Sequence, residues 1–223
     1  MLRVGGLRTE EGVQLGCGTK DIGKLIAQKL NINYIDREIM AEVAERLQSP
    51  EESIAHKEMP PSALLWRIEE ALGKVASTSS NYPIANLMAP KMPLDDREYV
   101  LGLEAVITDI AKGRSIVIRG RGSQFILKDF PGAFHVMVVA PLEARVMRVM
   151  ETLKLDQGEA RREIAHFDKG RQEFGKRYFH ADIEDPVYYD LVINTGHFSL
   201  EAAASIVVQT FPLKNKPAVE LPR

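Results

Sequence analysis

The sequence predicts an α/β fold, a parallel sheet covered by helices on both faces, and three observations predict it. Short, continuously apolar runs recur at Ser115–Ile118 (SIVI), Phe134–Val139 (FHVMVV) and Leu191–Asn194 (LVIN), as expected of strands buried on both faces. These runs alternate with segments of helical periodicity. Apolar residues make up 45% of a 223-residue chain, enough for one sizeable core.

The elements follow in order. Ile22, Leu25, Ile26 and Leu30 mark one face of a helix over Thr19–Leu30, opened by the turn GCGT and closed at Asn31. Asn33–Ile35 reads as a short buried strand. A helix follows through Arg46, with Ile39, Val43, Ala44 and Leu47 spaced for burial. Residues 48–94 hold six of the twelve prolines and read as a flexible insertion, with one helix from Ser62 to about Ala76. Regular structure resumes at Arg97–Lys112, a helix, and continues through the apolar strands. Leu142–Leu153 is helical, Gln157–Tyr178 is a long charged helix, and Leu200–Thr210 is a last helix capped by Ser199.

Composition narrows the function classes. A formal net charge of −2 gives no whole-chain attraction for nucleic acid. No run approaches the roughly 18 apolar residues of a membrane span, so no membrane partner is expected. The N-terminal text lacks an apolar signal core, and a single cysteine, Cys17, excludes an internal disulfide. A cytoplasmic location follows as the expectation. The five histidines show no metal-ligand spacing, so no protein metal site is expected.

The most informative segment is Gly16-Cys17-Gly18-Thr19-Lys20-Asp21-Ile22. Small residues running into a helix N-terminus direct backbone N–H groups toward an anion, the helix dipole adds to them, and a lysine supplies charge. The full phosphate-loop pattern G-x-x-x-x-G-K-[ST] is met only in part. Gln14 and Thr19 stand at its glycines, and Asp21 stands where a Mg2+-binding hydroxyl belongs. A plain glycine turn capping a helix is the alternative for this motif taken by itself.

Five segments in order resemble the cytidylate kinase-like family: GCGTKDIGKLIA at 16–27, YIDRE at 34–38, IVIRGRG at 116–122, Asp168–Arg171, and DPVYYDLVINT at 185–195. The likeness spans about residues 16–211. It implies a three-layer P-loop kinase fold in a single domain over 1–223, with a small helical acceptor-binding insertion near 48–94 and a lid near 157–182. It implies transfer of the γ-phosphoryl of ATP to a nucleoside monophosphate, CMP or dCMP favoured, with Mg2+ held mainly by phosphates and water. Small-molecule nucleotides are then the partners. A regulatory nucleotide-binding module without turnover, or a kinase for another small acceptor, stays open as the alternative.

The resemblance also assigns roles. Gly16 to Ile22 would bind ATP phosphates, with Lys20 on the β- and γ-phosphates. Asp36 would hold the acceptor, or else cap the helix near Glu38. Arg37 could pair with acceptor phosphate or with its neighbours Asp36 and Glu38. Arg121, between Gly120 and Gly122, suits an acceptor phosphate. Arg171 and Arg177 on the lid would stabilise the transferring phosphoryl group, with Asp168 orienting Arg171. The resemblance further implies a first strand ahead of the loop. The polar text there, GLRTEEGVQL, predicts one that is short, displaced or degenerate.

Overall fold

The structure, a computed structural model, describes residues 8–58 and 94–214. Five strands form one wholly parallel sheet in the order β2-β3-β1-β4-β5. They are β1 (Arg8–Val13), β2 (Asn33–Ile35), β3 (Ile116–Ile118), β4 (Ala133–Val139) and β5 (Leu191–Asn194). The helices are α1 (Thr19–Leu30), α2 (Glu38–Arg46), α3 (Glu51–Glu58), α4 (Asp96–Gly113), α5 (Ser123–Ile126), α6 (Leu142–Leu153), α7 (Gln157–Phe174) and α8 (Leu200–Thr210).

Side-chain alternation on the strands sorts the core into two layers. Ile116 and Ile118 of β3 point into one core, built with Ile39 and Val43 of α2, Ile54 of α3, and Tyr99, Leu103 and Ile107 of α4. Val117 of β3 and Phe134, Val136 and Val138 of β4 point to the other, against Ile22 and Ile26 of α1 and Ala203 and Val207 of α8. A smaller cluster ties α6 to α7 through Val146, Val149, Ala160 and Ile164. The three-layer α/β/α arrangement is the predicted one.

Local signals act as expected at several ends. Asn31 closes α1 in the left-handed conformation at φ 52°. Asp156 and Glu159 form a reciprocal capping box at the start of α7. The Ser199 hydroxyl accepts from Ala202 N–H at 3.2 Å.

Three expectations change. The first strand is neither short nor displaced: β1 runs six residues at the centre of the sheet, from Arg8 beside Ala133 to Val13 beside Val138 on β4. Backbone pairing with β4 along its whole length and with β3 at Arg8–Glu10 holds the strand in place, and that overrides a polar text. Helix α3 forms inside the stretch read as irregular, beginning after Pro50 and burying Ile54 alone among its apolar residues. The long charged helix is α-helical only to Phe174, and Gly175–Phe179 then makes a π-helical turn ended by His180 at φ 53°. The helix expected over Ser62–Ala76 lies outside the described residues.

Candidate functional site

Every predicted site segment except the charged helix follows the carboxyl end of a strand. The glycine loop leaves β1, Asp36 and Arg37 follow β2, and Arg121 follows β3. In an open parallel sheet that edge is where ligands collect.

The loop turns into α1 at Gly18, its N-cap, with φ 87°, and Gly16 has φ 84°. Side chains rarely adopt these angles, and a Cβ on Gly16 would lie 2.7 Å from the carbonyl oxygen of Arg145. Thr19, at a usual glycine position, is buried, and its hydroxyl meets the Cys17 thiol at 2.6 Å. It therefore turns inward. Lys20 and Asp21 are exposed on the first turn, and no described residue pairs with Lys20. The first N–H groups of α1, at Thr19 and Lys20, lie ahead of the helical ladder and have no acceptor within it. Ile22 is fully buried and anchors the helix.

Beside the loop stands a compact ionic cluster. The β2–β3 ladder extends past the strands, with Arg119 N–H donating to Ile35 O at 3.1 Å. That sets Asp36 and Arg119 side by side. Arg119 Nη1 donates to Asp36 Oδ2 at 2.7 Å, and Arg121 Nη1 donates to Asp36 Oδ1 at 3.1 Å and to Arg119 O at 3.1 Å. Burial alone would raise the Asp36 carboxyl pKa, but the two guanidiniums outweigh it and hold the group below the ordinary carboxylate value. Asp36 is thus an ion-pair partner, and α2 is capped at Arg37 with no side-chain cap bond. Arg37 is exposed.

Gly120, Arg121 and Gly122 all have positive φ, at 71°, 63° and 70°. For arginine this is an uncommon conformation, and it aims a buried guanidinium at Asp36. Gly122 lies against Phe179 of the π-helical turn, close enough that a Cβ would meet the ring at 2.2 Å. Phe179 stacks on Phe125 at 4.9 Å.

Arg177 forms a two-pronged bond to Asp96 at the start of α4, Nε to Oδ2 at 2.7 Å and Nη2 to Oδ1 at 2.9 Å. Lys57 of α3 joins the same carboxylate at 2.6 Å. Arg171 is half-buried on α7. Asp168 engages Arg145 of α6, whose Nη2 donates to both of its oxygens at 2.7 and 2.8 Å. Burial pushes the Asp168 carboxyl up, with Glu184 adding to it and Arg145 opposing it.

Sequence reasoning missed the residues that grip the loop from behind. Arg145 Nε donates to Leu15 O at 2.8 Å, and Arg148 Nη1 donates to Gly16 O at 3.1 Å. Thr195, just past β5, donates its hydroxyl to Cys17 O at 2.8 Å. Gln14 also has a partner, its Nε2 donating to Glu184 Oε1 at 3.4 Å. Arg119, two residues before Arg121, makes the shorter bond to Asp36. For Gln14, Arg119 and Thr195 the available signal was a polar side chain immediately after β1, β3 and β5, and for Arg145 and Arg148, inside α6, there was none.

A parallel sheet whose central strand feeds a glycine loop and a helix N-terminus, beside an arginine–carboxylate cluster, defines a P-loop kinase fold. Comparison with known proteins agrees with that class. The chain belongs to the cytidylate kinase-like family, whose family model matches residues 12–197. It is 25% identical over 200 residues to a cytidylate kinase of Methanocaldococcus jannaschii, covering 86% of this chain and 90% of that protein. A cytidylate kinase of Methanococcus aeolicus is 23% identical over 204 residues, covering 90% and 95% respectively. A 98-residue stretch is 34% identical to a uronate isomerase of Corynebacterium glutamicum, but it spans 44% of this chain and only 19% of that protein. Among solved structures, an uncharacterized protein from Eubacterium ventriosum superposes with a TM-score of 0.61 at 18% identity, covering 92% of this chain and 97% of the other. No helix among the described residues is long and apolar enough to cross a membrane.

Proposed function

We propose that this kinase-family chain transfers the γ-phosphoryl of ATP to a nucleoside monophosphate, with CMP or dCMP the favoured acceptor. The observation that carries the proposal is adjacency. The anion-binding loop after β1 and the Asp36–Arg119–Arg121 cluster after β2 and β3 share one sheet edge, with β3 lying directly between β2 and β1. One site suits a donor triphosphate and the other an anionic acceptor.

In this mechanism the N–H groups of Gly16, Gly18, Thr19 and Lys20 and the Lys20 ammonium hold the donor phosphates. Arg121 and Arg119 hold the acceptor phosphate. Asp36 keeps lone pairs beyond its two arginine bonds, and these take an exocyclic amine or a sugar hydroxyl of the acceptor. Arg37 lies at the acceptor end. Arg171 and Arg177 meet the transferring group as the lid, residues 157–182, closes. Arg177 must leave Asp96 to do so. Both partners are well exposed, so that release costs little.

Mg2+ suits this site. No described cluster of three ligating side chains exists, but a magnesium ion on phosphates needs few protein ligands, and the exposed Asp21 carboxylate offers a hard oxygen beside the loop. When bound, Mg2+ neutralises charge on the donor phosphate oxygens.

A nucleotide-binding module without turnover is the second possibility. The imperfect loop favours it, with Gln14 and Thr19 where glycines are usual and Asp21 where a Mg2+-binding hydroxyl is usual. The test is ADP formation from ATP and Mg2+ with CMP, dCMP, UMP, AMP and GMP in turn. Acceptor-dependent turnover supports the kinase. Thermal stabilisation by ATP with no turnover supports the binding module.

A further inference from the structure

We infer that Arg145, Arg148 and Thr195 are positioning residues that hold the phosphate loop in its ligand-ready conformation by clamping three consecutive backbone carbonyls. The inference rests on the phosphate-site proposal above and adds to it the source of the loop's shape.

The three bonds fall in sequence order. Leu15 O accepts from Arg145 Nε at 2.8 Å, Gly16 O from Arg148 Nη1 at 3.1 Å, and Cys17 O from the Thr195 hydroxyl at 2.8 Å. A trans peptide places its N–H opposite its C=O. Drawing those carbonyls toward α6 and the end of β5 therefore turns the N–H groups of Gly16, Cys17 and Gly18 the other way. Cys17 N–H closes the turn on Gln14 O at 3.2 Å. No described residue accepts from Gly16 or Gly18 N–H. Those two join the first amides of α1 in a row of donors suited to an anion.

None of the three side chains is placed to bind phosphate itself. Arg145 is 4% exposed, and its charge is matched by Asp168, which takes Nη2 at 2.7 and 2.8 Å. Arg148 donates Nη2 to Thr195 O at 2.7 Å and Nη1 to Thr195 Oγ1 at 3.0 Å as well as to Gly16 O. Thr195 is 2% exposed, and its own N–H donates to Val139 O at 2.8 Å, which fixes it to β4. The clamp thus joins the loop to β4, β5, α6 and, through Asp168, α7. It also fits the sequence: with Gln14 and Thr19 where glycines usually give such a loop its shape, the shape is imposed from outside.

The test measures affinity of the full chain for Mg2+-tripolyphosphate by calorimetry, with unliganded thermal unfolding of each variant as the check on folding. Thr195→Val removes the hydroxyl and keeps the shape, and Arg148→Gln removes the paired guanidinium donors. Each is expected to weaken binding roughly tenfold, about the worth of one good hydrogen bond. Thr195→Ser is expected to restore it. In turnover, KM for ATP rises in both weakened variants while KM for the acceptor stays put, a split that a general loss of stability does not produce. Folded Thr195→Val and Arg148→Gln proteins that bind tripolyphosphate as tightly as the wild type overturn the clamp. If Thr195→Val does not fold, Arg148→Gln decides by the same criterion. A wild-type chain that binds no tripolyphosphate overturns the phosphate site itself, and the clamp with it.

Discussion

Arg177, in the π-helical turn after α7, closes on both oxygens of Asp96, the first residue of α4, at 2.7 and 2.9 Å. Hydrogen bonds from Arg177 and from Lys57 hold the Asp96 carboxyl below its ordinary pKa. In the proposed mechanism Arg177 leaves Asp96 for the transferring phosphoryl group, so this pair belongs to the resting arrangement. Arg177→Ala is expected to lower kcat by about a hundredfold if the guanidinium reaches the transferring phosphoryl group. Asp96→Asn weakens the hold and is expected to leave kcat at or above wild type. Steady-state kinetics of the two variants check this. A loss of kcat in Asp96→Asn equal to that in Arg177→Ala would show that the pair acts as a fixed unit.

Arg121→Ala is expected to raise the acceptor KM by about tenfold or more while the KM for ATP changes little, since the guanidinium lies in the Asp36 cluster and not in the loop. Asp36→Asn keeps the shape but loses the charge that orients both arginines, so it is expected to act in the same direction. An equal loss for donor and acceptor contradicts this division of labour.

The Asp36 carboxyl also sets a pH dependence. Its folded pKa is depressed, so its contribution to stability is present above the ordinary carboxylate value of about 4 and is lost as pH falls through the lower folded value. Urea midpoints measured from neutral pH down to pH ~2 are expected to decline more steeply in the wild type than in Asp36→Asn, which lacks the titrating group. Parallel declines contradict the depressed pKa.

Gly122→Ala is expected to destabilise the fold by roughly 1–3 kcal/mol, from positive-φ strain and from displacement of a stacked ring. The new Cβ would stand 2.2 Å from Phe179, which is itself stacked on Phe125. A lowered urea midpoint with an unchanged slope is the expected result, and an unchanged midpoint contradicts it.

What was legible in the sequence follows from the range over which each force acts. Helices α1, α2, α4, α6 and α8 and strands β2 to β5 carry periodicity that local text records, and their predicted ends fall within a residue or so of those observed. Strand β1 carries none, because RTEEGV is placed by backbone pairing with two strands more than 100 residues away in sequence. The candidate site divides in the same way. Lys20, Asp36 and Arg121 stand next to glycines or strand ends, where type and place suggest chemistry. Arg145, Arg148 and Thr195 act on backbone carbonyls 130, 132 and 178 residues distant, and no local pattern marks such a bond. Asp168 was expected to orient Arg171 one helical turn away, but its bidentate partner is Arg145 on the neighbouring helix.

The most direct test of the central claim is transfer of radiolabelled γ-phosphate from ATP to CMP by the wild-type chain and by Lys20→Ala. The expected result is labelled CDP from the wild type and a rate about 10²–10³ lower in the variant, the usual cost of removing one preorganised charge contact. Absence of any labelled nucleotide from the wild type, or equal rates from the two proteins, would contradict phosphoryl transfer at the Gly16–Ile22 loop.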